Sequence, residues 1–221
     1  MTEAEQLEAI KKWWKRYSNA VTVVLSIVLL LLATYKYWNW HQDKITQQAS
    51  SAYEHMMSSF SNQDNKGVKA YANQLITDYG RTIYADVARL TLAKIAILHK
   101  RYTDAQRDLE YVAGYSKVVA VQQIAKIRLA RIYAADKEYE KALEQLVKVD
   151  NPTYMPVVNE LKGDIFAAMG QYQKAVSSYK NAINDVQSRG IGNLFLEMKT
   201  NELVAMSQTT DIVTDKNQHA G

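Results

Sequence analysis

The sequence contains no cysteine, which excludes disulfides and thiolate metal sites. It does not fix the compartment, because many exported domains lack disulfides. Only two prolines, Pro152 and Pro156, and eight glycines are spread over 221 residues. A β-sandwich or barrel needs far more turn-forming residues than this. Ala, Leu, Lys, Gln and Glu are common instead, and these favour helix. A strong charge of one sign is also lacking. The formal net charge of +4 is mild, and no basic stripe with interleaved aromatics is present, so nucleic acid is not an expected partner.

Chemistry is sparse as well. The histidines are His41, His55, His99 and His219, and no two stand at the i, i+4 spacing of a helical metal pair. There is no glycine-rich phosphate loop, since the glycines are scattered. The serines of "SSAY" and "SSYK" lie outside any nucleophile-elbow context. Carboxylates such as Asp108 and Glu110 fall on charged helix faces. The expectation is a protein with no catalytic activity, no metal and no cofactor.

What is present is concentrated at the beginning. In "KKWWKRYSNAVTVVLSIVLLLLATYKYWNW", residues 11 to 40, stand all four tryptophans. Between Arg16 and Lys36 lie nineteen residues, 17 to 35, without a charge, and Ala20 to Ala33 are mostly aliphatic. As a helix this gap spans about 28 Å at ~1.5 Å per residue, close to the ~30 Å hydrocarbon core of a bilayer. Trp13, Trp14 and Tyr17 form a belt at one interface; Tyr35, Tyr37, Trp38 and Trp40 form the other. A buried core helix would not carry paired girdles. A cleaved signal peptide has a shorter apolar region and small residues after it, where "YKYWNW" follows here. The run therefore predicts a retained signal anchor over residues 17–37.

Lys11, Lys12, Lys15 and Arg16 precede the run, whereas only Lys36 and Lys44 follow it closely. The positive side stays inside, which predicts cytoplasmic residues 1–16 and an exported C-terminal part. Glu3, Glu5 and Glu8 count little in this rule. The anchor core has no ionisable residue and no Gly-x-x-x-Gly pattern, so neither a charge-paired intramembrane contact nor tight self-dimerisation by that motif is indicated.

Beyond residue 85, "LAKIAILHKRYTDAQRDLEYV", "LARIYAADKEYEKALEQLVKV" and "KGDIFAAMGQYQKAVSSYKNA" can be stacked. Tyr102 and Ala105, Tyr139 and Ala142, Tyr172 and Ala175 recur at offsets of 37 and 33 residues. Nine residues before each Tyr is a small residue: Ala93, Ala130 and Gly163. Periods near 34 with two helices per unit mark a helical solenoid, and the small residues let paired helices approach closely. The fold class expected is all-α: one N-terminal transmembrane helix, then a tetratricopeptide-like solenoid over residues 42–207.

Residues 42–61 read as a helix with Ala49, Ala52, Tyr53, Met56 and Phe60 on one face. "NQDNKG" (62–67) reads as a loop and 68–79 as the partner helix. Ile191, Leu194, Phe195, Met198 and Leu203 read as the inward stripe of a capping helix. Residues 208–221 lack periodicity and are expected to be disordered.

The repeats resemble tetratricopeptide repeats. The third matches best, through Gly163, Phe166, Gly170, Tyr172, Ala175, Tyr179 and Ala182; the second has Leu146 in place of the late aromatic, and the first has Ala96 at an aromatic position. By that pattern the concave face belongs to the first helix of each unit. Lys94, Arg131 and Asp164 share one inward row, and Leu90, Ile127 and Glu160 share another. Leu90, Lys94, Ile127, Arg131 and Asp164 are the candidate partner-binding residues, in a groove suited to an extended segment or a helix.

The order of parts, with "SSAYEHMM", "YGRTIYADVARLTLAK", "IRLARIY" and "ELKGDIFAAMGQYQKA", resembles the ancillary subunit family of the bacterial SecYEG translocon (the YfgM family) over roughly residues 7 to 205. The resemblance implies a single-pass inner-membrane protein with a periplasmic repeat domain. Its implied partners are the SecYEG channel, a membrane-anchored periplasmic chaperone of the peptidyl-prolyl isomerase type, and exported polypeptides on their way to folding factors. The alternative is a scaffold of another envelope assembly, such as cell-wall synthesis or division, with the same architecture.

Overall fold

The computed structural model describes residues 3–187 and 194–205. Among the described residues every regular element is a helix. These are α1 (Glu3–Ser61), α2 (Asn65–Asp78), α3 (Ile83–Leu98), α4 (Tyr102–Tyr115), α5 (Val119–Ala135), α6 (Tyr139–Val147), α7 (Met155–Ala168) and α8 (Tyr172–Gln187), then α9 over residues 194–205. A 3-10 turn, Pro152–Tyr154, leads into α7. The molecule divides into two units, residues 1–52 and 53–221.

In the first unit the uncharged run is helical and its side chains are exposed, apart from the half-buried Ser18 and Val21. The helix is long and apolar enough to cross a membrane. Thr22, Ser26 and Thr34 donate their hydroxyls to the carbonyls four residues earlier, at 2.7, 2.8 and 2.8 Å. No polar group on them is left to face lipid unpaired. Trp13 lies 5.8 Å from Tyr17, and Tyr37 lies 6.1 Å from Trp40, centroid to centroid. The girdle rings thus sit together at each end of the run.

The second unit is built by repetition of one turn. Gln63, Lys100, Lys137 and Gly170 have φ of 57°, 58°, 63° and 73°. At each, the next residue's N–H donates back to a carbonyl five residues earlier: Asp64 to Ser59, Arg101 to Ala96, Glu138 to Tyr133 and Gln171 to Phe166, at 2.9, 2.8, 2.8 and 2.8 Å. This is the Schellman closure of a helix, and it sends the chain back antiparallel. The spacing of 37, 37 and 33 residues shows four units in register, one more than the tyrosines reveal. In the added unit, Met56 and Val68 take the two small-residue positions and are fully buried. His55 stacks on Tyr71 at 5.3 Å across that helix pair.

The expected loop 62–67 is shorter than read. Asp64 caps α2, accepting from the N–H groups of Lys66 and Gly67 at 3.1 and 3.0 Å, so the helix starts at Asn65. Of the apolar face expected before it, Ala49, Ala52 and Met56 are buried, and Tyr53 and Phe60 half-buried. The longer spacing from Tyr102 to Tyr139 has a local cause too: α4 and α5 run 14 and 17 residues where α6 and α7 run nine and 14, which outweighs the shorter connection between them.

The three later pairs close over small residues. Ala93, Ala105, Ala130, Ala142 and Ala175 have no exposed surface, and Gly163 is buried. A Cβ on Gly163 would stand 2.4 Å from the Tyr179 ring. In the preceding units Ala130 clusters with Leu146, and Ala93 with Leu109. Glycine under an aromatic and alanine under leucine fill a similar volume, which is why the second unit manages without the late aromatic. Polar ties fix the joints between helices: Ser116 donates to Asp86 at 2.7 Å, and Gln123 donates to Asp150 at 2.8 Å while accepting its N–H at 3.1 Å.

The capping helix exists, but of the expected stripe only Leu203 lies on its buried face. Leu196, Thr200 and Leu203 are buried, whereas Leu194, Phe195 and Met198 are exposed; Ile191 lies outside the described residues. Lys199 sets the rotation. Its ammonium reaches Asp164 on α7 at 2.8 Å, and Thr200 hides its hydroxyl on Leu196 O at 2.7 Å. The expected tail, 208–221, also lies outside the described residues.

Candidate partner-binding groove

The candidate residues come from the first helices of the units, α3, α5 and α7. A cleft of about 480 Å³ lies between the C-terminal halves of α3 and α5, with Lys94, Ile97, Tyr102, Arg128, Arg131 and Ile132 among its walls. A smaller cavity of about 170 Å³ adjoins it through Lys94 and Arg128 and continues to Leu90, Met57 and Phe60. No carboxylate among the described residues lines either.

The structure brings three of the five candidates to this place. Lys94 and Arg131 line the larger cleft, and Leu90 floors the smaller one. The Lys94 ammonium lies 5.0 Å from the Phe60 ring centroid, a cation–π contact that leaves its outer side open. Arg131 is exposed and has no ion-pair partner among the described residues. Ile127 is not brought to the cleft walls; it is buried in the core with Ala142 and Leu146. Asp164 is already engaged. It accepts from the Tyr179 hydroxyl at 2.6 Å and from Lys199 at 2.8 Å. Burial, then that bond to a carboxylate, raises the Tyr179 hydroxyl above its usual range, so it remains a donor. Asp164 therefore ties α7, α8 and α9 together.

Reading by repeat rows missed Arg128. It is half-buried and lines both cavities. Among the described residues its guanidinium makes one long bond, 3.4 Å, to the carbonyl of Leu90. Burial, then the Arg131 charge one turn on, lowers its pKa, yet an arginine stays protonated. The signal that could have found it is the pair Arg128 and Arg131, like charges at i, i+3 with no acid opposite. No group of three or more His, Cys, Asp or Glu able to hold a metal ion occurs among the described residues.

Paired antiparallel helices in register, closed by small residues and preceded by one membrane-length helix, define a membrane-anchored tetratricopeptide-repeat protein. The family model of the tetratricopeptide repeat-like domain matches residues 11–205. A protein of Aggregatibacter actinomycetemcomitans named ancillary SecYEG translocon subunit is 30% identical over 81% of this chain and 88% of its own. Proteins of the same name in Neisseria gonorrhoeae and Escherichia coli are 24% and 23% identical, over 92% and 91% of this chain and 98% and 96% of theirs. The chain belongs to the ancillary SecYEG translocon subunit family.

Proposed function

We propose that this protein is a non-catalytic ancillary subunit of the bacterial SecYEG translocon. Residues 1–16 lie in the cytoplasm, 17–37 cross the inner membrane, and the repeat domain, 42–207, stands in the periplasm. There it links the channel to a membrane-anchored chaperone of the peptidyl-prolyl isomerase type and helps pass exported proteins to folding factors. The observation that carries this reading is the correspondence, over nearly the full length of both chains, with relatives of that name.

The groove supports the chaperone link physically. A cleft with apolar walls and fixed cations suits a protein segment better than a small reactant, and its charges favour encounter and register. The anchor contributes by confinement, since tethering one contact raises the effective concentration at the other. The test is capture of the chaperone from detergent extracts at matched expression. Lys94→Glu with Arg131→Glu should cut capture severalfold and leave membrane insertion intact. A version with an unrelated anchor should retain part of it. Loss on anchor exchange with no effect of the charge reversal would place recognition in the membrane segment.

A further inference from the structure

The groove has a chemical preference, and the inference rests on reading it as the docking face. Lys94, Arg128 and Arg131 converge there from two helices, and no Asp or Glu among the described residues lines the cleft or its extension. Six other cations of the repeat domain have a carboxylate partner, Arg89 with Asp108, Arg101 and Arg107 with Asp104, Lys141 with Glu138, Lys148 with Glu144 and Lys199 with Asp164, whereas none of the three groove cations has one among the described residues. Arg128 is held partly out of water with a single long bond to a carbonyl, one turn from another cation. Such an arrangement is electrostatically unfavourable until an anion arrives, and a guanidinium has donors to spare for a carboxylate. Between and beside the cations the walls are apolar: Ile97, Ile132 and Tyr102.

The geometry points to a carboxylate-reading site that takes an extended acidic and apolar segment of a partner protein. Its carboxylates meet Arg128, Arg131 and Lys94, and its alternate apolar side chains enter the cleft between α3 and α5. Charge complementarity selects this occupant: a basic segment would meet three unpaired cations, and a purely apolar one would leave Arg128 desolvated and unmatched.

The experiment uses the full-length protein in a neutral detergent and a short fluorescent peptide of alternating Glu and Leu, followed by anisotropy. Peptides with Gln or Lys for Glu are titrated alongside. The Glu peptide is expected to bind roughly tenfold or more tighter than the Gln peptide, the Lys peptide not at all, and added salt to weaken the Glu peptide. Arg131→Gln, at an exposed position, and Arg128→Gln, with helicity checked by circular dichroism, should each erase most of the Glu-over-Gln preference. Equal affinity for Glu and Gln peptides, no binding of the Glu peptide, or a preference unchanged in Arg131→Gln would overturn the inference. The docking reading fails separately. Chaperone capture lost on charge reversal without peptide discrimination sinks this inference alone; peptide discrimination with capture unaffected sinks the docking reading and leaves the carboxylate site standing.

Discussion

Gly163 shows how one residue decides a close contact. Alanine is the better helix former by about 1 kcal/mol, so a substitution there would ordinarily help. Here the new methyl would stand 2.4 Å from the Tyr179 ring. The ring cannot swing away, because Tyr179 is 2% exposed and its hydroxyl is bonded to Asp164. Overpacking of this kind costs about 1–3 kcal/mol, which outweighs the propensity. Gly163→Ala should lower the melting temperature of the full-length protein in detergent, whereas Gly114→Ala, where a Cβ meets nothing within 4 Å, should leave it unchanged or raise it. An unchanged melting temperature for Gly163→Ala would mean that α7 and α8 are not pressed together at this point.

At the level of elements, the paired helices rest on the alanines of their second members. Ala142→Leu and Ala175→Leu should each destabilise by about 1–3 kcal/mol, because each site is closed on every side. Thermal melts followed by circular dichroism check this, with Ala120→Leu, at an exposed position of α5, as the control; equal melts for all three would show that the register is misassigned. These small-residue positions were legible in the sequence because sterics leaves few alternatives where helices touch. The turns were not. Three of the four left-handed positions hold Gln63, Lys100 and Lys137, so a search for glycine finds only Gly170 and the first unit passes as a flank. Most of the face of α9 differs from the hydrophobic stripe, Leu203 apart, because hydrophobicity does not register the pairing of Lys199 with Asp164. The same pairing took Asp164 out of the row that repeat spacing assigned to it. Arg128 stayed hidden for the converse reason: its position belongs to no repeated row, and its importance comes from what fails to stand opposite it.

For the whole molecule, the proposed function uses two surfaces, a membrane-length helix with aromatic girdles and a repeat domain with a basic groove. Their use depends on which side of the membrane the repeats occupy. By the positive-inside rule, four cations before the apolar run against two after it predict that the repeats lie outside, as proposed. Every partner proposed for the groove follows from that side. Protease added to intact spheroplasts tests it most directly, read with antibodies against both ends of the chain. Digestion of residues 45–221, leaving a small protected N-terminal fragment, is the result expected. A repeat domain that stays protected until the membrane is broken would contradict the orientation and, with it, the periplasmic function.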